Sequence, residues 1–183
     1  MHDAVERILL SEEQIQARVR ELGHQIANDY RGKHPVMVCL LRGSFMFFSD
    51  LLKNIPILCT TDFMAVSSYG KGTKSSGQLT IKKDLSDPIE GKDVIIVEDI
   101  LDSGFTLTSL MRTLSSRGAK SIKICTLLDK PGSRHADTPL VPDYSGFNIG
   151  DEFVVGYGLD YAEQYRNLPY IGILKREIYE NAT

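Results

Sequence analysis

Apolar positions between residues 11 and 31 recur with a helical period: Ile15, Val19, Leu22 and Ile26 share one face, and Ser11 followed by Glu13-Gln14 offers a capping start. The spacing predicts a surface helix that packs its stripe on a core. The period then changes. Pro35 opens Val36-Met37-Val38-Cys39-Leu40-Leu41, an unbroken apolar run of strand length, and the chain turns at Arg42-Gly43-Ser44 into a second helix, Phe45 to Asn54. Leu58 to Ser68 and Gln78 to Lys83 read as extended, forming a long hairpin. Its tip, Tyr69 to Gly77, is mostly glycine, serine and lysine and is expected to be a mobile loop. Asp93 to Asp99 is another apolar strand, leading through Asp102-Ser103-Gly104 into an amphipathic helix with Leu107, Leu110, Met111 and Leu114 that ends at Arg117-Gly118. Further strands are expected at Ser121 to Leu128, Phe153 to Val155 and Tyr170 to Leu174. Strands alternating with helices imply an α/β fold: a mostly parallel twisted sheet flanked by helices, with ligands at the carboxyl ends of its strands.

Length and composition narrow this picture. A chain of 183 residues suits one domain spanning 1–183, with a core of its own. That core is expected over about 32–128; the irregular, aromatic-rich sequence from about 129–183 is expected to form a small hood lobe together with the N-terminal segment. The longest apolar runs fall far short of the ~18 residues of a membrane span, so no membrane partner is expected. A net charge of −3 without a Lys/Arg cluster argues against a nucleic-acid partner, and any phosphate-bearing ligand is expected to be small and locally bound. The first residues lack a basic head followed by an apolar run, which leads to the expectation of a cytoplasmic protein. Cys39, Cys59 and Cys125 sit singly in apolar surroundings and are expected to be buried free thiols.

Candidate chemistry concentrates in Val97-Glu98-Asp99-Ile100-Leu101-Asp102-Ser103-Gly104-Phe105-Thr106. Two adjacent carboxylates close an apolar strand, where neighbouring residues point to opposite faces, so one of them would be buried unfavourably without a partner. Hydroxyls of Ser103 and Thr106, a glycine between them and the start of a helix make a nest for a phosphate. Carboxylates beside such a nest suit a sugar phosphate, accepting hydrogen bonds from ribose hydroxyls and standing near a bound cation. The plainer reading of the same residues is an acidic turn in which Asp102 or Ser103 caps the helix. A nucleotide-hydrolysing P-loop is excluded, and Gly156-Tyr157-Gly158-Leu159-Asp160-Tyr161 lacks the last glycine of a dinucleotide fingerprint.

Val97 to Thr106 resembles the phosphoribosyl-pyrophosphate signature of the type I phosphoribosyltransferases: apolar strand, two acids, two apolar residues, Asp, a small hydroxyl residue, Gly, any residue, Thr. The chain is similar to the purine branch of that family from about Ser11 to Leu174, in consistent order. Leu41-Arg42-Gly43-Ser44 matches its pyrophosphate loop, Ser68-Tyr69 its lid and Lys130 its purine-reading lysine. Phe153 to Tyr157 with Leu159-Asp160-Tyr161 matches the base pocket, and Arg166 a further pyrophosphate-contacting arginine. The resemblance implies the type I phosphoribosyltransferase fold with its hood and mobile hairpin. It also implies a salvage reaction: phosphoribosyl pyrophosphate and a 6-oxopurine, hypoxanthine or guanine, give IMP or GMP and pyrophosphate, with Mg²⁺ as cofactor.

Residue by residue, the resemblance implies that Asp102 is the general base and that Asp102, Ser103, Gly104, Phe105 and Thr106 cradle the 5′-phosphate, Phe105 through its backbone. Glu98 and Asp99 would hold the ribose and, with Asp160, the metal shell. Leu41, Arg42, Gly43 and Arg166 would meet pyrophosphate, the backbone at Arg42-Gly43 through an unusual peptide geometry. Lys130 would donate to O6 of the base, which favours hypoxanthine and guanine over adenine. Phe153 would stack on the purine while Val154, Leu159 and Asp160 line its edge, and Ser68-Tyr69 would close over the reaction to exclude water. A homodimer or homotetramer is implied. The rivals are a xanthine-preferring transferase and a regulator that uses the same fold to sense phosphoribosyl pyrophosphate; the acidic balance disfavours the regulator.

Overall fold

A computed structural model describes residues 2–68, 79–134, 136 and 139–180. After a short 3-10 turn, β1 (Val5–Leu10) leads into α1 (Glu12–Asp29), whose start is a reciprocal capping box. The Ser11 hydroxyl accepts the Gln14 N–H at 3.3 Å, and the Gln14 side-chain oxygen accepts the Ser11 N–H at 2.9 Å. Ile15, Val19, Leu22 and Ile26 are all fully buried, each contributing about 1.5–3 kcal/mol relative to exposure.

There follow β2 (Val36–Leu41), α2 (Phe45–Lys53), β3 (Thr60–Ser68), β4 (Leu79–Lys83), β5 (Asp93–Leu101), α3 (Phe105–Ser116) and β6 (Ser121–Asp129). The last elements are β7 (Tyr144–Asn148), β8 (Val154–Val155), β9 (Ile171–Leu174) and α4 (Arg176–Glu180). Six strands form a sheet in the order β4-β3-β2-β5-β6-β7, parallel throughout except for β4, which pairs antiparallel with β3. Side chains alternate between its faces, as strand geometry requires. Met37, Cys39, Ile95 and Val97 join α1 and α2 in one buried cluster, whereas Val36, Val38, Leu40, Val94 and Ile96 meet Leu107, Leu110 and Leu114 of α3 on the other. Strands covered on both faces have to be apolar at every position, which explains the unbroken runs.

A smaller antiparallel sheet, β1-β9-β8, unites the two ends of the chain. Neither β1 nor β7 is anticipated by the hydrophobic pattern. Two register irregularities against β9 break any alternation in β1. Tyr144-Ser145-Gly146-Phe147-Asn148 is an edge strand with few apolar residues, held from outside by Arg18, which donates to the carbonyls of Ser145 at 2.7 Å and Gly146 at 3.0 Å. Its place in the large sheet puts residues 144–148 there, past the boundary near 128 drawn from the sequence. Cys39 and Cys125 are buried free thiols and Cys59 is half-buried; burial pushes the Cys39 thiol up to about 11. Among the described residues, no helix is long and apolar enough to cross a membrane.

Candidate active site

Because β3, β2, β5 and β6 run parallel, their last residues, Ser68, Leu41, Leu101 and Asp129, lie along one edge of the sheet. Arg42-Gly43 follow directly from the end of β2, Asp102 to Thr106 from the end of β5 and Lys130 from the end of β6, at the edge where ligands bind in such sheets. Tyr69 and the tip of the hairpin, to Gln78, fall outside the described residues.

The acidic pair needs one correction. β5 continues to Leu101, so Glu98 and Asp99 stand inside the strand instead of closing it. Pairing with β6 persists through Ile100↔Leu128 and Leu101↔Asp129, and Leu101 is 1% exposed among the side chains of the α3 face. Glu98 accepts the Asp99 N–H at 3.2 Å, and Asp99 accepts the Ile100 N–H at 2.8 Å. Burial first, then the neighbouring Asp99 charge, holds the Glu98 carboxyl well above the usual carboxylate range. A native carboxyl that keeps its proton to higher pH gives stability that is fully present below the ordinary value of 4.5 and lost as pH rises through the native value. Thermal melts of the wild type should therefore show falling stability as pH rises from 4.5. Glu98→Gln should flatten that decline and be the more stable protein at neutral pH. Parallel curves for the two proteins would contradict the assignment.

Beyond Leu101 the chain bends into a cleft of about 170 Å³ lined by Glu98, Asp102, Ser103, Gly104 and Thr106. The cap of α3 is Gly104 at φ 85°, a left-handed conformation that suits glycine. Phe105 and Thr106 are the first helical residues. The capping role that the sequence allowed for Asp102 or Ser103 is thus taken by glycine. Asp102 is exposed, and among the described residues no hydrogen bond or ion pair reaches its carboxylate.

Lys130 directly follows β6; its N–H donates to the Leu101 carbonyl at 3.0 Å and its ammonium to the Glu152 carbonyl at 2.9 Å, one residue before Phe153. The Phe153 ring stacks on Tyr179 of α4 at 4.9 Å and 20°, and meets Tyr161 edge-on at 5.7 Å. Val154 lies in β8 opposite Ile173. Both the N–H and C=O of Leu159 bond to Gly156, closing the turn that covers the sheet edge.

That turn touches the loop after β2. A Cβ on Gly158 would fall on the Gly43 carbonyl, and a Cβ on Gly43 would fall on the Asp99 carboxylate, so three segments meet with no space for side chains between them. The Leu41–Arg42 peptide is cis. Arg42 pairs with Glu163 at 2.7 Å, and Arg166 donates to the Gly158 carbonyl at 2.7 Å while pairing with Asp160 at 2.9 Å and Glu163 at 3.4 Å. The other Asp160 oxygen accepts the Glu163 N–H at 2.8 Å. Glu163 thereby bridges the two arginines. Sequence reasoning missed it, as it missed Asp129, Arg134 and Tyr179; each is an isolated residue whose partners come from distant segments, and no local pattern marks it.

Two acids inside β5, the glycine-capped start of α3 and a glycine loop against Asp99 thus lie together at the carboxyl edge of a parallel sheet. Residues 7–162 match the model of the phosphoribosyl transferase domain, and the chain belongs to that family and has its α/β fold. Its relatives are more specific. The hypoxanthine-guanine phosphoribosyltransferase of Bacillus subtilis is 52% identical, with 98% of each chain covered. A crystal structure of a Staphylococcus aureus hypoxanthine phosphoribosyltransferase is 55% identical, with a TM-score of 0.95 over 99% of this chain and 97% of that one. The bifunctional protein TilS/HprT of Listeria monocytogenes is 52% identical over 98% of this chain, which spans 27% of that relative's length.

Proposed function

We propose that this protein transfers the 5-phosphoribosyl group of phosphoribosyl pyrophosphate to N9 of hypoxanthine or guanine, releasing pyrophosphate and forming IMP or GMP. The observation that carries the reading is the meeting of Gly43, Asp99 and Gly158 beside the cleft at Asp102 to Thr106, with Lys130 bound across to Leu101. On this reading the Gly43 loop, the acidic pair and Lys130 serve one site.

In the reaction the C1–O bond to pyrophosphate breaks, its electron pair leaves with pyrophosphate, and the C1–N9 bond forms as N9–H or N7–H loses its proton. The α3 amino end and the Ser103 and Thr106 hydroxyls hold the 5′-phosphate. Glu98 and Asp99 accept from the ribose hydroxyls. Backbone groups of Leu41, Arg42 and Gly43, with the guanidinium groups of Arg42 and Arg166, meet pyrophosphate once it displaces Glu163. Asp102, whose carboxylate has no hydrogen bond or ion pair among the described residues, takes the purine proton. Lys130 donates to O6, Phe153 stacks on the base, and Val154, Leu159 and Asp160 line its edge; the Leu159 carbonyl keeps a second lone pair for an exocyclic amine. Ser68 and Tyr69 close over the site and exclude water.

Mg²⁺ fits the acidic pair. Two adjacent carboxylates, one with its proton held by burial and its neighbour's charge, form a hard-oxygen site that a divalent cation relieves. Among the described residues no group of three or more His, Cys, Asp or Glu is placed to hold a metal. Glu98 and Asp99 would hold it, with Asp160 contributing after release from Arg166; when bound it supplies Lewis-acid neutralisation of the departing pyrophosphate. The reading carries a cytoplasmic homodimer or homotetramer.

Incubating the protein with Mg²⁺, phosphoribosyl pyrophosphate and each of hypoxanthine, guanine, xanthine and adenine, then separating the nucleotides, tests it. IMP and GMP are expected. Nucleotide from xanthine alone, or from no base, would overturn the reading.

A further inference from the structure

We infer that Arg134 is a positioning residue that sets the general base and the base-reading lysine relative to one another; this rests on the transferase reading above. The last rung between β5 and β6 is Leu101↔Asp129, and Asp102 and Lys130 are the first residues past it. The Leu101 carbonyl accepts the Lys130 N–H at 3.0 Å and the Lys130 carbonyl the Ser133 N–H at 3.0 Å. Arg134 adds a side-chain donor to both and reaches the Asp102 carbonyl as well. One nitrogen of its guanidinium donates to Leu101 O at 2.8 Å, Lys130 O at 3.2 Å and Asp102 O; Nε donates to Leu140 O at 2.8 Å; the remaining nitrogen pairs with the Asp129 carboxylate. Both side chains of that pair are nearly buried, Arg134 at 12% exposed and Asp129 at 11%.

A single planar group thus ties together the ends of both strands that carry the proposed proton acceptor and the proposed O6 donor. The Asp102 carboxylate is exposed, with no hydrogen bond or ion pair among the described residues. Its position is therefore set by its backbone, and its backbone carbonyl is bonded to Arg134. The Asp129 charge fixes the guanidinium from the opposite side, leaving its other N–H groups directed at the carbonyls. Arg134 touches neither base nor sugar phosphate in this scheme; it acts through Asp102 and Lys130.

Lysine at this position keeps a positive charge beside Asp129 but lacks the fork that serves both strands at once. Arg134→Lys is expected to fold with a melting temperature close to the wild type. Its kcat should fall by roughly 10²-fold, the loss that an ångström-scale misplacement of reacting groups produces. The purine KM should rise, and the affinity for Mg²⁺ with phosphoribosyl pyrophosphate, measured by titration calorimetry, should stay unchanged. In Arg134→Ala, added guanidinium ion should restore part of kcat. A folded Arg134→Lys with unaltered kcat and purine KM would overturn the clamp. So would a parallel fall in kcat, cofactor-substrate affinity and melting temperature, the mark of a merely structural role. Wild-type turnover measured alongside separates the two inferences: no nucleotide from the wild type overturns the transferase reading itself, whereas an active wild type with an indifferent lysine variant overturns the clamp alone.

Discussion

Asp102→Asn is expected to lower kcat by roughly 10²- to 10⁴-fold, the range a positioned general base contributes, while the affinity for phosphoribosyl pyrophosphate and the melting temperature stay in place. The separation of these quantities follows from the structure around the residue. Gly104 caps α3, the Asp102 side chain is exposed, and no described residue bonds its carboxylate. Asparagine has the same shape and leaves the backbone at 102 free to accept from Arg134. It removes only the basicity. Phosphate binding, assigned to the amino end of α3 and the hydroxyls of Ser103 and Thr106, does not call on that carboxylate. Initial rates of IMP formation, titration of phosphoribosyl pyrophosphate with Mg²⁺ and a thermal melt on the same preparation check the three quantities. An unchanged kcat would sink the assignment, and a loss of stability comparable to the loss of rate would return Asp102 to a structural role.

The contrast between Asp102 and Arg134 also marks what a linear chain discloses. β2, β5 and β6 are readable because burial on both faces demands apolar residues at nearly every position, and α1 because its stripe and its Ser11 cap are local signals. The glycine-capped turn into α3, Ser103 to Thr106, is readable because its glycine and hydroxyls fall within four residues. β5 is underestimated by two residues because Glu98 and Asp99 interrupt the apolar run. Arg134 and Glu163 look like solvated loop charges until folding brings the carbonyls of Leu101, Asp102 and Lys130 to the one and Arg42 and Arg166 to the other. Tyr179 is equally silent in sequence, although it covers one face of the ring assigned to stack on the purine. The resemblance to a family carries over residues that touch ligands; those that hold such residues in place are found through contacts.

Gly158→Ala is expected to cost the protein both stability and transfer activity, for two physical reasons that a control can separate. Gly158 lies at φ +100°, and a side chain there is strained by about 1–3 kcal/mol wherever it occurs. In addition its Cβ would fall on the Gly43 carbonyl, with the Gly43 carbonyl carbon at 3.2 Å. Backbone cannot rotate away as a side chain can. Gly43 in turn has its own Cα against the Asp99 carboxylate, so displacement passes from the covering turn to the pyrophosphate loop and on to the acidic pair. Gly32 provides the comparison: at φ +73° it is also left-handed, but a Cβ there has nothing within 4 Å. Gly32→Ala carries the conformational strain alone, at a site between α1 and β2 remote from the chemistry. Denaturant unfolding should find Gly158→Ala the less stable of the two, and rate measurements should find Gly32→Ala as active as the wild type. Gly158→Ala should lose about 10²-fold or more in kcat/KM for phosphoribosyl pyrophosphate, because the groups assigned to its pyrophosphate and ribose would be moved together. Equal destabilisation by the two substitutions, with activity intact in both, would mean that the Gly158, Gly43 and Asp99 contact does not organise the site.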